Sequence, residues 1–497
     1  MNSLVAAMMK GMVGPIAAFN ILFIATFVLS GYGAYLAAYE ISKSNISGLV
    51  AGYIFAFSPY HFLHVRQLEH MTIQWIAFLF FALIRLMNKK DSISPLAAAL
   101  FFAFSFYSNA YYGLSCGVLV GLIFVYDLFL IWRQKKFNDL KPWVIFGVGA
   151  CILILPYLLG MVAAGRSVDK FKVELWVKIY QSIDLLALVT PSFNNSLLSS
   201  WFPTMWLYQT FTGTETVGYL GLSVIVLCVI GFTKGVCERK FILAATAIVF
   251  VTLSLGPVLH FAGIVTIPGG YRIPLPQLLL QATPIISSAR VPARYLAIGM
   301  LPIAILAGVG AQILWHRKAT SKIICLVLLS MVIVEYWNRP LETSTPEVRP
   351  YSQFLAATPG DFVLLYLPLH ISHDRTKWWK SADPYTQGWD NVIHGKKSMT
   401  GPISHTALNR KHFEYFLKSD LLAPLVTAET DIVHPLPKRI ALRRMEELGL
   451  KYIVLDLEKY GGRRESYFYK RDRAFLTNKW GLKVVYEGDD ATVIETF

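Results

Sequence analysis

Three polar clusters interrupt a long apolar stretch of this chain, and each holds side chains able to do chemistry. The first reads Ser58-Pro59-Tyr60-His61-Phe62-Leu63-His64-Val65-Arg66-Gln67-Leu68-Glu69-His70. It gathers histidines, an arginine and a carboxylate. A helical turn would put His61 and His64 on one face. As hydrogen-bond donors with a base beside them, His61, His64, Arg66, His70 and Glu69 fit the rim of a substrate site. As amphipathic side chains they fit an interfacial polar belt equally well. No second pair at ligand spacing closes the set around a metal.

The second cluster is the stretch 165–215, with Asp169, Glu174, Asp184 and Glu215, and with Trp201, Trp206 and Tyr208 suited to a headgroup layer. Any of its carboxylates fits a general base, and each also fits a structural or solvated role. Asp184 sits in the apolar run Ile183-Asp184-Leu185-Leu186-Ala187-Leu188, and Glu215 lies at the mouth of an apolar span. Glu69, Asp184 and Glu215 are the expected catalytic carboxylates. The third cluster reads Ser287-Ser288-Ala289-Arg290-Val291-Pro292-Ala293-Arg294-Tyr295. Pro292 suits the first turn of a helix. Free N–H groups at such a start attract anions, and arginine adds bidentate donors for phosphate. Arg290 and Arg294 are therefore expected to hold a lipid phosphate or sugar phosphate; snorkelling to anionic headgroups is the bland alternative.

The elements that must position these clusters are membrane spans. Crossing about 30 Å of hydrocarbon takes about 20 apolar residues as a helix. Ten stretches qualify or nearly do: 15–38, 46–65, 71–87, 94–109, 111–132, 142–164, 216–233, 241–261, 293–314 and 323–337. The fourth and fifth are separated so briefly that a partly crossing hairpin is one reading. Lys43, then Lys89 and Lys90, then Arg133, Lys135, Lys136 and Lys141, then Lys234, Arg239 and Lys240, then Arg317, Lys318 and Lys322 fall in alternate gaps. Short basic loops stay cytoplasmic, which sets all three polar clusters on the outer face. Arg290 and Arg294 thus lie on the wrong side for positive-inside anchoring.

Composition agrees with a polytopic membrane protein: 55% of the 497 residues are hydrophobic. The net charge of +15 does not mark a nucleic-acid partner. Up to position 337 there are 23 basic and 11 acidic residues, and beyond it 23 and 20, so the surplus sits mostly in the span-bearing part. Cys116, Cys151, Cys228, Cys237 and Cys325 fall in spans or a cytoplasmic loop, without zinc-type spacing. Residues 1–14 lack the basic start and cleavage site of a signal peptide. The charge pattern puts this N-terminus outside, and the simpler expectation is a missing earlier span with its outer loop.

Residues 338–497 read as a soluble extracytoplasmic α/β domain after a transmembrane domain at 1–337. Asp361–Leu367 and Lys451–Asp456 look like strands, 436–448 like a helix, and Leu482–Thr496 like a hairpin turning at Gly488-Asp489-Asp490. His370, His373, His394, His405 and His412 read as surface or cap residues. Gly395-Lys396-Lys397-Ser398 lacks the glycine spacing and leading strand of a phosphate loop. No dinucleotide fingerprint, nucleophile elbow or HExxH occurs, and no Asp-x-Asp that would hold a sugar nucleotide through a metal. No run of charges sits mid-span as an ion-coupled pump would need; Asp127 lies toward the cytoplasmic end of its span.

Several motifs in order carry a resemblance: Gly14-Pro15 with Ala18-Phe19-Asn20, Leu29-Ser30-Gly31 with Gly33-Ala34-Tyr35-Leu36, Phe55-Ala56-Phe57-Ser58-Pro59-Tyr60, Tyr111-Tyr112-Gly113-Leu114, Thr214-Glu215-Thr216-Val217-Gly218-Tyr219-Leu220-Gly221, and Arg290-Val291-Pro292-Ala293-Arg294. Together they resemble bacterial polytopic proteins of the GT-C glycosyltransferase-like class. The resemblance implies an all-α membrane bundle of about ten spans followed by an extracytoplasmic α/β domain. It implies transfer of a sugar from a polyprenyl-phosphate donor to an acceptor outside the bacterial cytoplasmic membrane, with no cofactor. It brings Tyr111 and Tyr112 into the expected substrate set. In this class the base is usually an Asp in the first outer loop, after the first span, and this sequence holds no counterpart. A non-catalytic assembly or lipid-handling protein, and a transporter or flippase of lipid-linked glycans, are the other readings. A transporter should show inverted repeats, and none is visible.

Overall fold

Mean hydropathy of +0.48 concentrates in long helices, and these dominate the structure. The computed structural model describes residues 2–65, 67–89, 93–165, 175–202, 213–235, 239–265, 270–280, 290–341, 343, 347–367, 384–399, 421, 436–460, 462 and 464–497. Two compact units make up the chain, one of Met1–Val162 and Lys170–Pro340 and one of Leu341–Phe497 together with Ala163–Asp169.

In the first unit, helices α1 (Asn2–Val13) and α2 (Pro15–Ser42) are followed by α3 (Asn45–Ala56), α4 (Pro59–Leu63), α5 (Leu68–Met71) and α6 (Gln74–Lys89). Then come α7 (Ile93–Ser108), α8 (Ala110–Gln134), α9 (Lys141–Gly165), α10 (Leu222–Lys234), α11 (Lys240–Ser254), α12 (Leu296–Trp315) and α13 (Ala319–Glu335). Among the described residues, six segments have the length and hydropathy to cross a membrane: Pro15–Ser42, Asn45–Leu63, Leu68–Asn88, Ala110–Gln134, Phe137–Gly160 and Pro292–Trp315. The helices Ile93–Ser108, Leu222–Lys234 and Lys240–Ser254 are apolar but shorter. The protein is a multi-pass membrane protein.

Burial sorts these helices. The segment Pro292–Trp315 has 89% of its apolar window inside the protein, whereas Phe137–Gly160 has 22%. A helix that is apolar all round and covered is the core of the bundle; one apolar but uncovered faces lipid. The central α12 packs on α3, α10 and α11. Glycines let it come close: a Cβ on Gly231 would run into the Leu306 carbonyl, and one on Gly310 into the Leu227 carbonyl.

Local breaks fall where the side-chain chemistry demands them. Pro59 opens α4, and Ser58 caps it by accepting the His61 N–H at 3.4 Å. That short helix carries the histidine cluster. Asn109 alone separates α7 from α8, as the N-cap of α8. With 25 residues, α8 is about 37 Å long, enough to cross a bilayer, whereas α7 has 16 residues. The seventh expected span is shortened. Its helix begins at Leu222, because Gly221 takes a positive φ of 93° and 217–220 are not helical. Glu335, on α13, caps this helix: its carboxylate accepts the Ser223 N–H at 3.1 and 3.2 Å. An anion at a helix N-terminus is favoured by the free N–H groups and the dipole. The eighth is shortened too, ending near Gly256 (φ 81°) rather than at 261.

The second unit holds a five-stranded mixed sheet of order β2-β1-β3-β5-β4. Its strands are β1 (Val363–Leu367), β2 (Lys397–Ser398), β3 (Leu450–Asp456), β4 (Lys483–Glu487) and β5 (Ala491–Glu495). β1 runs parallel to β2 and β3, and β5 is antiparallel to β3 and β4. Along β1, Leu365 and Leu367 face one apolar cluster and Leu364 and Tyr366 the other. That alternation is what a sheet covered on both faces requires. The helices α14 (Pro350–Ala357), α15 (Pro384–His394), α16 (Lys438–Glu447) and α17 (Tyr467–Ala474) accompany it. Arg349 pins this unit, pairing with buried Asp390 and, at 3.0 Å, with Asp456.

His394, read as a surface or cap residue, takes the second role at the end of α15. It is buried, its Nε2 is 2.8 Å from the Tyr366 hydroxyl, and its Nδ1 accepts the Lys396 N–H at 2.9 Å. His370, His373, His405 and His412 lie outside the described residues.

Candidate functional site

The first and third polar clusters meet in the first unit, joined by Glu215 of the second. Arg294 forms a two-point ion pair with Glu215: Nη2 to Oε1 at 2.7 Å and Nε to Oε2 at 3.1 Å. His64 approaches the same carboxylate, Nε2 to Oε2 at 3.3 Å, while its Nδ1 lies 2.7 Å from the Tyr60 carbonyl. Both His64 ring nitrogens thus face oxygen atoms. The Arg294 guanidinium stacks 4.9 Å over the Tyr111 ring. The Tyr111 hydroxyl accepts the backbone N–H groups of Arg290 and, at 3.0 Å, Val291. The third cluster is thereby fastened to the start of α8.

A second layer lies beneath. The Tyr112 hydroxyl donates to the His70 carbonyl at 2.7 Å and lies 3.2 Å from the Tyr60 hydroxyl. Asn109 bonds His70 Nδ1 at 2.7 Å and the Glu69 carbonyl at 3.2 Å. The His64 and His70 rings meet edge to face, 5.8 Å apart.

These contacts divide the expected residues by what their polar atoms already do. Glu215, one of the expected bases, is engaged by two partners in this structure. Burial would raise its carboxyl, but the hydrogen bonds from His64 and Arg294 and their charges outweigh that and hold it well below the usual carboxylate range. Such a carboxylate takes a proton poorly. Arg294, expected at a phosphate, spends its charge and its fork on Glu215.

Asp184 stands apart from the cluster. Its carboxylate accepts the N–H groups of Leu186 at 2.8 Å, Ala262 at 3.1 Å and Gly263 at 2.8 Å. It caps a short 3-10 turn and ties it to the loop after α11, a structural task rather than the expected catalytic one. His61 is likewise committed: its ring nitrogens sit 2.6 Å from the Ala56 carbonyl and 2.9 Å from the Met71 carbonyl, so it ties α3 to α5 rather than facing a substrate. Arg66, Asp169 and Glu174 lie outside the described residues.

Two charges remain open. The Glu69 side chain is 57% exposed, with Oε1 4.0 Å from His70 Nε2. The Arg290 guanidinium has no hydrogen bond or ion pair among the described residues. The two residues are linked through their backbones, not their charged ends: the Glu69 carbonyl accepts from Asn109, Asn109 caps α8 at the Tyr111 N–H, and the Tyr111 hydroxyl accepts the Arg290 N–H. Among the described residues no group of His, Cys, Asp and Glu could hold a metal. Sequence reasoning passed over Asn109; its signal was a helix-capping residue one position before Ala110.

Residues 2–336 match the family described as a domain of unknown function, DUF6311. No curated protein matches the chain in sequence. Among solved structures, the chain is similar to the arabinofuranosyltransferase AftD from Mycobacteria at 10% identity and a TM-score of 0.54, over 97% of this chain and 34% of that one. It is also similar to ArnT from Cupriavidus metallidurans at 10% identity, over 100% of this chain and 87% of that one. The TM-score is 0.47 for the form bound to undecaprenyl phosphate and 0.46 for the apo form. The chain spans about a third of AftD's length. At this identity the likeness establishes the fold, that of the GT-C glycosyltransferases.

Proposed function

Because this chain belongs to the DUF6311 family and has the GT-C fold, we propose that it is a membrane glycosyltransferase, moving a sugar from a polyprenyl-phosphate donor to an acceptor outside the cytoplasmic membrane. The observation that carries this reading is an exposed Glu69 carboxylate and an Arg290 guanidinium unpaired among the described residues, whose backbones are tied to the same helix start by Asn109 and Tyr111. Glycosyl transfer from a lipid phosphate needs one of each. The bond from the anomeric carbon to the phosphate oxygen breaks, and negative charge collects on the departing phosphate, where Arg290 neutralises it. The acceptor oxygen bonds to the anomeric carbon and gives its proton to Glu69. The alternation of basic loops supports an outer-face position for both groups. His64, Glu215 and Arg294 form the wall that holds α4, α8 and the start of α12 together behind them.

The test is release of free polyprenyl phosphate by the protein reconstituted in liposomes with polyprenyl-phosphoryl pentoses and hexoses. Arg290→Ala and Glu69→Gln should each reduce release by about 10²-fold or more, with thermal stability unchanged. Absence of release by the unmodified protein from every donor, or full release by both variants, would refute the reading.

A further inference from the structure

Asn109 has both ends of its side-chain amide fixed by backbone. Its Oδ1 accepts the Tyr111 N–H at 2.9 Å, capping α8, and its Nδ2 donates to the Glu69 carbonyl at 3.2 Å. Turning the amide over would set Nδ2 against an N–H and Oδ1 against a carbonyl, so the backbone settles which end is which. That same Nδ2 lies 2.7 Å from His70 Nδ1. An amide nitrogen only donates, so Nδ1 accepts and the ring hydrogen sits on Nε2. Nε2 is the nitrogen turned to the Glu69 carboxylate, 4.0 Å from Oε1. That separation exceeds a direct hydrogen bond and is closed by one bridging water or a small turn of the exposed Glu69 side chain. The imidazole cannot easily escape this setting, because Tyr112 holds the His70 carbonyl at 2.7 Å and His64 packs against the ring.

We infer that Asn109 is a positioning residue of this site: it fixes His70 as the Nε2–H tautomer and thereby aims a neutral N–H donor at Glu69. A donor on one carboxylate oxygen orients the group and leaves its other lone pairs for an acceptor hydroxyl. Asn109 touches no substrate in this scheme and acts only through His70. The kinetic part of the inference rests on the glycosyltransferase reading; the tautomer does not.

The competing role is helix capping alone, and Asn109→Asp separates the two. Aspartate caps a helix as well as asparagine does, but it has no donor for Nδ1. His70 Nδ1 must then carry a hydrogen, either taken from Nε2, which leaves a lone pair facing Glu69, or added to a doubly protonated ring between the two carboxylates. Asn109→Ser also caps but is too short to reach the ring, and serves where the aspartate variant fails to fold. Solid-state NMR of the full chain in liposomes, labelled at the histidine ring nitrogens and assigned by difference from His70→Gln, reads the tautomer directly. The unmodified protein should show His70 protonated at Nε2, Asn109→Asp at Nδ1, and Asn109→Ser a mixture. A spectrum with Nδ1 protonated in the unmodified protein, or one that neither variant changes, overturns the inference.

Release of polyprenyl phosphate should fall about 10- to 100-fold in both variants, the range typical when the partner orienting a functional histidine is lost. A shifted tautomer with full turnover would remove the positioning role. If the unmodified protein turns over no donor, the glycosyltransferase reading fails, and the spectrum still decides what Asn109 does to His70.

Discussion

Replacing Arg294 with methionine should destabilise the first unit strongly. The variant keeps the length of the aliphatic stem and removes only the guanidinium. Glu215 would be left as a carboxylate with a 15% exposed side chain and one remaining hydrogen bond, the 3.3 Å contact from His64. Stranding one member of a buried pair costs about 3–5 kcal/mol. Loss of the stacking over Tyr111, 4.9 Å from the ring centre, adds about 1 kcal/mol. Arg294→Met should therefore cost about 4–6 kcal/mol. The paired variant Arg294→Met with Glu215→Leu removes both charges and should recover all but about 1–2 kcal/mol of that, because well-packed apolar side chains replace a buried ion pair at little loss. Unfolding of the purified protein in mixed micelles by graded denaturant measures both. A cost for Arg294→Met below about 1 kcal/mol is what an exposed pair shows, and it would refute the burial argument. A paired variant less stable than the single one would refute the claim that the stranded carboxylate carries the loss.

Acid should act on the same contact. The Glu215 carboxyl is held low in the folded protein, so the stability it contributes is complete above its ordinary value of 4.5 and is lost as the pH falls below it. Glu215→Gln should flatten that part of the stability profile. In the second unit, burial lowers the His394 ring from 6.5 to about 4, against the nearby Asp390 charge. Its contribution is present above pH 6.5 and fades toward pH 4, so amide exchange in β1 and β3 of the full chain should accelerate across that window, and less so in His394→Gln. Asp184→Ala orphans the N–H groups of Leu186, Ala262 and Gly263 and should cost about 2–4 kcal/mol while leaving turnover per folded molecule unchanged. A loss of turnover without loss of stability would return Asp184 to the catalytic set.

The helical bundle and most of the second unit's strands could be read from the sequence because the signals are local. Hydropathy marks apolar helices whatever they pack against, and the turn at Gly488-Asp489-Asp490 does separate the antiparallel strands β4 and β5. The boundaries failed where backbone conformation rather than hydropathy decides. Residues 217–220 are apolar enough for a span, yet the positive φ of Gly221 delays the helix to Leu222. The burial of His394 could not be read for a related reason: a histidine at the end of a helix looks exposed until Tyr366, from β1, is known to cover it.

The candidate site was half legible for a deeper reason. Residue type shows that a side chain has a charge to offer, but not whether the fold has already used it. Arg290 and Arg294 are alike in sequence, and both look suited to phosphate. One meets Glu215, 79 residues earlier in the chain, and becomes part of the wall; the other, among the described residues, hydrogen-bonds Tyr111 alone, and through its backbone. Glu215 and Glu69 divide in the same way. Glu215 is reached by His64 from 151 residues away, while the Glu69 side chain stays half in solvent. A fold that pairs Glu215 with Arg294, and sets His64 on the same carboxylate and Tyr111 under the guanidinium, ties α4, α8 and the start of α12 together. Under the proposed function, the charges that look most reactive in sequence are therefore not the ones to mutate first for chemistry: substitutions at Arg294 and Glu215 should show in stability, and those at Arg290, Glu69 and Asn109 in transfer.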